Sequence, residues 1–230
     1  MGCNRITNCW AALLVLLLLT SSSLAATKPH VISFGKWMPV QRMVGTNGDD
    51  KQVSIKVRAL VVDGRVREYV VGRPYEITER LFVVRRVFRV NDALAEDAAP
   101  KSQWQRGGWL LVHSLTGSIS PVNLSEFDVV YSVSSWHRDY VAYRGASDDG
   151  KKRFAIVAQL NRKKPVLKKP LLRVLPEDAG LDSACSVPVW QRSPTRVSFE
   201  APGSEKQTFA IRGNIADIVN DAEEDEAASK

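Results

Sequence analysis

The aromatic, cationic and acidic side chains that could form a catalytic or binding site lie close together in one short segment, Trp136-His137-Arg138-Asp139-Tyr140. His137 and Asp139, joined in the fold by another acid or a thiol, would suit general acid–base work in a hydrolase. In a strand, period two puts Trp136, Arg138 and Tyr140 on one side and His137 and Asp139 on the other, so the group could also line a binding mouth. The alternative is structural, with Trp136 in the core and Asp139 capping a turn.

A second set of candidates is basic and belongs to three predicted strands. If these strands are neighbours, their side chains stack in register and offer several donors to an anionic partner. The alternative is a solvated face interleaved with Glu68 and Glu79. We do not expect nucleic acid as a partner, because single-strand binders add exposed stacking aromatics and only Tyr69 offers one. The basic candidates are Lys56, Arg58, Arg65, Arg67, Arg85 and Arg89.

The sequence predicts no metal site and no cofactor. The three histidines, His30, His113 and His137, lack metal-ligand spacing. A glycine-rich phosphate loop, a nucleophile elbow and a zinc-protease helix are also missing from the sequence. These patterns favour binding over catalysis.

The first 25 residues are typical of a cleavable targeting segment. Arg5 precedes an apolar run at Trp10–Leu19, and the small residues Ser23 and Ala25 at the −3 and −1 positions predict cleavage after Ala25. The run of about ten residues is too short to span a bilayer as a helix. We therefore expect a secreted or periplasmic protein without a transmembrane span after cleavage; a retained anchor is the alternative. Only Cys185 would remain, as a small hydrophobe, a nucleophile or an intermolecular thiol.

Charge favours anionic surfaces as partners. The formal net charge is +7, and it becomes +6 when Arg5 is removed with the leader. An acidic stretch, Asp221–Glu226, stands apart from the basic regions. For a secreted chain we expect a protein or an anionic envelope polymer as the partner.

Alternating hydrophobicity predicts a largely extended chain. Val53–Val62 and Arg65–Val71 alternate on either side of Asp63-Gly64, a two-residue hairpin signal. Arg80–Val90 is a long strand in which Arg86 falls on the apolar side, so we expect a carboxylate or the sheet edge beside it. Arg153–Leu160 is apolar on both faces, which predicts cover on both sides.

Further elements follow from composition and turn residues. We expect a strand at Val31–Val44 broken at Pro39, and a connector at Pro74–Glu79. A hairpin through Gly117 joins Gly108–His113 to Ile119–Val122. The remaining predictions are strands at Phe127–Ser132 and Asp139–Arg144, an edge strand within Arg162–Pro170 and a helical turn at Ile215–Asn220.

Residues 104–167 resemble blades of TolB-type and WD40-type β-propellers. The likeness rests on Ser135-Trp136 at a strand entry, the Asp149-Gly150 turn, and Lys164-Pro-Val-Leu as a short outer strand. Trp109–Val122 is similar to the outer hairpin of a neighbouring blade. His137-Arg138-Asp139 stands where Pro-Asp-Gly is usual in the family. A plain antiparallel meander is the alternative.

Together these patterns predict an all-β fold of antiparallel hairpins, with propeller-like or sandwich-like sheet packing. We expect one domain over residues 26–220, with halves joined near 91–103, and an acidic disordered tail at 221–230. The expected function is non-catalytic binding or scaffolding through a β-sheet docking surface. The alternative is a hydrolase-type enzyme with a site near His137 and Asp139.

Overall fold

The computed structural model describes residues 29–44, 51–91, 102–149, 152–171, 186–200 and 206–219. The predicted targeting segment, Cys185 and the predicted acidic tail lie outside these ranges. The described residues form strands and turns without a helix, so none of them belongs to a helix that could cross a membrane. The predicted all-β fold class is confirmed, with antiparallel sheets of seven, four and four strands.

The first sheet contains the long strands of the N-terminal part of the chain. Its order is β1-β3-β4-β5-β6-β7, and β2 pairs with the same edge of β3 beyond β1. Positive φ angles at Asp63 and Gly64, 51° and 76°, make the predicted hairpin turn between the third and fourth strands. The strands are β1 Ile32–Phe34, β2 Met38–Val44, β3 Lys51–Val62, β4 Arg65–Thr78, β5 Leu81–Asn91, β6 Ser102–His113 and β7 Ile119–Val122.

Two predictions for this sheet are wrong. Pro39 does not break a strand: it lies inside β2, paired with Lys56, and the break falls at residues 35–37. Within the described chain β2 pairs only with β3, and an edge position tolerates the missing N–H of proline. The expected connector at Pro74–Glu79 is largely strand, because a bulge at Gly72, with a φ of 75°, lets β4 bend and continue beside β5.

The second and third sheets are simple antiparallel meanders of four strands. Their orders are β11-β10-β9-β8 and β12-β13-β14-β15. The predicted hairpin of Asp139–Arg144 with Arg153–Leu160 is confirmed as β9 and β10, and the Lys- and Pro-bearing edge strand as β11. The strands are β8 Ser134–His137, β9 Tyr140–Ala146, β10 Arg153–Gln159, β11 Leu167–Pro170, β12 Val189–Gln191, β13 Arg196–Phe199, β14 Gln207–Arg212 and β15 Ile215–Val219.

Two further predictions are corrected here. The segment Phe127–Ser132 is not a strand, because the Asp128 carboxylate accepts hydrogen bonds from the N–H groups of Val130 and Tyr131 and closes a turn. The expected helical turn after Ile215 is β15, which pairs along its whole length with β14. Cross-strand pairing overrides the weak local preference in that segment.

The second sheet lies between the other two. On one face of β10, Ile156 packs in a cluster with Val83 of the first sheet and Trp136. On the other face, Ala155 and Val157 pack with Val197 and residues of the third sheet. The prediction that this strand is covered on both sides is therefore confirmed, and each fully buried valine or isoleucine stabilises the stack by roughly 1.5–3 kcal/mol.

The first sheet is apolar on parts of both faces because it curls. Leu60, Val70 and Val112 form one buried cluster, whereas Ile55 and Val57 belong to another. Strand β2 reaches across to lie against β6. Strands β5 and β6 pair from Leu81 to Asn91, so the predicted joint near 91–103 connects neighbouring strands of one sheet.

Gly145 provides a test of how tightly the second sheet is packed. A Cβ at this position would lie 2.5 Å from Ile156 Cδ1 and 3.0 Å from the Glu126 carbonyl oxygen. The carbonyl belongs to the backbone and cannot rotate away. We expect Gly145→Ala to lower the free energy of unfolding by about 1–3 kcal/mol, measured by urea denaturation.

Gly108→Ala is the matched control, since a Cβ there would meet nothing within 4 Å. We expect it to change stability by less than about 0.5 kcal/mol. Equal stability of the two variants would contradict close packing at Gly145.

Candidate functional site

The six basic candidates do not share one face of the first sheet. Residues opposite each other on antiparallel strands point to the same side. Arg58 faces Val70, which faces Arg86, whereas Arg85 faces Val71 on the opposite side. The three strands are neighbours, as expected, but their basic side chains divide between two faces. Four of the set are exposed: Lys56, Arg65, Arg67 and Arg89.

Arg85 is a core residue rather than part of a basic docking face. Its side chain is 9% exposed. One guanidinium nitrogen, Nη2, donates to the Val129 carbonyl oxygen at 2.8 Å, and the group lies 4.6 Å from the centroid of the Phe127 ring. Burial first, and then repulsion from Arg106 and Arg42, lowers the pKa of Arg85 to about 10. Arg85 therefore holds the turn at 127–131 against the first sheet.

Arg86 has the carboxylate that its position demanded. Its Nε donates to Glu68 Oε2 at 2.9 Å. Gly107 on β6 leaves room for its aliphatic stem, since a Cβ there would be 3.2 Å from Arg86 Cβ. The expectation that Arg86 lies beside an acid is confirmed, although a partly exposed pair of this kind contributes only about 0–1 kcal/mol.

The Trp136–Tyr140 group builds the corner between β8 and β9. Arg138 and Asp139 form its two-residue turn, and Arg138 has a φ of 53°. Trp136 is 9% exposed, and the centroid of its ring lies 5.4 Å from that of Trp109. The exposed Arg138 donates its backbone N–H to the Tyr75 hydroxyl at 2.7 Å. These contacts fasten the corner to the first sheet.

His137 and Asp139 face different partners. The His137 ring is 9% exposed and stacks on Trp190 with the centroids 5.2 Å apart, and its buried Nε2 has no hydrogen-bond partner. Asp139 accepts a hydrogen bond from Gln159 Nε2 at 2.7 Å. Trp136 lies in the core, as the structural interpretation expects, whereas the hydrogen bond of the Asp139 carboxylate goes to Gln159 on β10. Among the described residues, no three His, Cys, Asp or Glu side chains are grouped closely enough to hold a metal ion.

A second group of candidate binding side chains is centred on Arg58, which is partly exposed. Its guanidinium carbon lies 4.0 Å from the centroid of the Phe34 ring and 4.4 Å from that of Trp37. Trp37 is 43% exposed. We call Phe34, Trp37, Lys56 and Arg58 the Arg58 surface. Cation–π contacts of this kind fix the plane of the guanidinium.

A shallow notch of about 340 Å³ adjoins the Arg58 surface. It opens where β4 turns away from β3 at Gly72. Its apolar lining comes mainly from Trp37, Ile55 and Val71, with Lys56 at the side. The notch therefore shares Trp37 and Lys56 with the Arg58 surface, while Ile55 and Val71 belong to the opposite face of the strands.

Sequence reasoning found Lys56 and Arg58 but missed Trp37. The prediction placed the break at Pro39 instead of at residues 35–37, and so it did not show that β1 and β2 pair with the same edge of β3 on either side of Trp37. Their junction, fixed by the Gly35 N–H donating to the Ala59 carbonyl at 2.9 Å, brings Trp37 over Arg58. No protein-family model, no curated protein and no solved structure matches this chain.

The burial of His137 predicts a particular sensitivity to acid. Its pKa is lowered from 6.5 by burial first, then by Arg138 and Arg192, while Asp139 opposes the shift. Below about pH 6.5 the unfolded chain takes up a proton that folded His137 resists, so stability falls as the pH falls. We expect the free energy of unfolding to drop more between about pH 8 and pH 5 in the wild type than in His137→Phe.

Urea denaturation at both pH values measures this difference. Phenylalanine keeps a ring against Trp190 and cannot titrate, so it isolates the proton. An identical pH dependence in the two proteins would show that His137 is not held neutral by its surroundings.

Proposed function

We propose that this chain is a secreted or periplasmic non-catalytic binding or scaffold protein that docks a protein or an anionic envelope polymer through the Arg58 surface. The observation that carries the proposal is the Arg58 guanidinium stacked between Phe34 and the exposed Trp37, beside an apolar notch. Targeting outside the cytoplasm is proposed on the leader-like residues 1–25.

The position of the Arg58 guanidinium is already fixed by the two rings in the free protein, so it is preorganised for an anionic partner. Burial lowers the pKa of Arg58 from its ordinary value, yet the guanidinium stays charged at neutral pH. Because two rings already hold it and remove part of its hydration, binding has less side-chain entropy and solvation to lose. Lys56, exposed on the same face, adds a second cation without such fixation.

The notch supplies the apolar part of the interaction. Binding energy at protein interfaces concentrates in a few aromatic and arginine side chains that are surrounded by neutral contacts. Trp37 and Arg58 are of these types and lie side by side, and Met38, 40% exposed, extends the apolar area. A partner that fills the notch would cover Trp37 and leave the charged groups at the rim.

We also propose that the stacked sheets serve as a rigid platform. The two successive four-stranded meanders, packed face to face, are compatible with the propeller-blade resemblance and with a plain meander alike. In either arrangement the Arg58 surface belongs to the first sheet, whose strands precede the two four-stranded meanders in the sequence.

The test uses the mature protein with single changes at the Arg58 surface. Trp37→Ala removes the aromatic anchor, and Lys56→Gln removes a cation without shortening the side chain much. Arg80→Gln is the matched control, because Arg80 is an exposed cation at the β4–β5 turn. Urea denaturation first establishes that each variant is folded.

Partners are cross-linked and identified from envelope extract, and binding of the purified partner is then measured by calorimetry. Sulfated and neutral dextran form a second arm that probes polyanion binding. We expect Trp37→Ala to weaken partner binding by at least about thirtyfold, the effect of an interface hot spot, and Arg80→Gln to leave it unchanged. Equal binding by wild type and Trp37→Ala would overturn the proposal.

A further inference from the structure

A second recess separates the first sheet from the second, away from the Arg58 surface. This inter-sheet groove has a volume of about 390 Å³ and runs between β7 and the β10–β11 connection. Its sides are Ser120 to Leu124 and Gln159 to Lys163. Cavities of roughly 300–1,000 Å³ are the usual size of ligand sites. No residue discussed for the Arg58 surface lines it.

The lining of the groove divides into three kinds of chemistry. Leu111, Val122 and Leu160 are among its apolar residues. Side-chain amides come from Asn123, Gln159 and Asn161, and cations from Arg162 and Lys163, which are both exposed. Among the described residues that line the groove there is no carboxylate. An occupant should therefore combine an apolar group, hydrogen-bonding groups and negative charge.

The edge of β7 limits how an occupant can bind. The His113 N–H donates to the Ser118 carbonyl at 3.0 Å. Because hydrogen-bonded and non-hydrogen-bonded pairs alternate along an antiparallel ladder, the backbone N–H and C=O groups of Ser120 and Val122 also point toward β6. The backbone groups of Ile119 and Pro121 point away from β6 to the free edge, and Pro121 has no N–H to donate there. A continuous added strand is therefore disfavoured, and side chains must provide most of the polar recognition.

We propose that the inter-sheet groove binds an extended acidic peptide segment. One apolar side chain of the peptide occupies the area around Leu111 and Leu160, and its carboxylates meet Arg162 and Lys163. The amides of Asn123 and Asn161 donate to and accept from the peptide groups between them. Gln159 uses its Nε2 on Asp139 and keeps its carbonyl oxygen for a peptide N–H.

The amides distinguish a peptide from a lipid. An acyl chain in the groove would cover Asn123, Gln159 and Asn161 without giving them hydrogen bonds, and an unpaired buried amide is costly. A peptide brings a donor and an acceptor with every residue. The proposal does not depend on the Arg58 surface, so either site can fail without the other.

The probe is a synthetic peptide with blocked ends, Glu-Glu-Leu-Glu-Glu, titrated into the mature protein by calorimetry. Two companion peptides separate the contributions: Gln-Gln-Leu-Gln-Gln lacks the charge, and Glu-Glu-Ser-Glu-Glu lacks the apolar group. We expect both to bind at least about tenfold more weakly than the probe. Raising the salt concentration to about 1 M should also weaken probe binding, because the Debye length falls to about 3 Å.

The variant Arg162→Gln/Lys163→Gln should bind the probe about tenfold more weakly. Lys152→Gln/Lys169→Gln removes the same charge from exposed positions that do not line the groove and should bind normally. Trp37→Ala should also bind normally, which separates this site from the Arg58 surface. Unfolding by urea confirms that all variants are folded.

Three results would overturn the proposal. They are equal probe binding by Arg162→Gln/Lys163→Gln and the control, equal binding of the three peptides, and preferential binding of laurate over the probe. The last would assign the groove to a fatty acid instead.

Discussion

The fold depends on the burial of both faces of the second sheet. In β9 and β10, residues alternate between a cluster shared with the first sheet and one shared with the third. Ala142 and Ala155 are small enough for the third sheet to approach, whereas Tyr143 and Ile156 fill the opposite side. A strand so placed has no free face, so whatever function it serves must be expressed at its ends and loops.

This constraint explains the fate of the Trp136–Tyr140 group. Its aromatic, acidic and cationic side chains look like a site in sequence, but they stand where the second sheet meets both neighbours. Trp136 packs toward the first sheet, and His137 packs on Trp190 of the third. Asp139 is held by Gln159 on the adjacent strand. Chemical diversity in this segment therefore serves to join three layers.

Burial also decides what each arginine does. Arg85 is desolvated among aromatic rings and a backbone carbonyl, and its environment offers no route to a large partner. Arg86 is neutralised by Glu68. Arg58 lies between these cases: it is fixed by two rings but remains at the surface. The residue type is the same in all three, and the difference comes from the face of the strand and its neighbours.

Both candidate binding surfaces occur where sheet pairing is interrupted. The notch beside Arg58 opens where β4 bends away from β3 at Gly72, and the inter-sheet groove opens beyond the last strand of the first sheet. Strands that stop pairing leave apolar side chains without a neighbour. At both places cations stand beside that apolar surface, so electrostatic attraction and burial can act on the same partner.

The sequence by itself determined the fold class and most strands, together with the hairpins at Asp63-Gly64 and Gly117 and the double burial of β10. It also predicted a carboxylate or the sheet edge beside Arg86, and the structure shows the carboxylate of Glu68. These features depend on period two and on turn residues, which are local properties of the chain. The tertiary structure alone decided that Arg58 and Arg85 lie on opposite faces, that Trp37 covers Arg58, and that Phe127–Ser132 is a turn. Those outcomes depend on strand register, bulges and the pairing of distant segments, and no local pattern encodes which strands will meet.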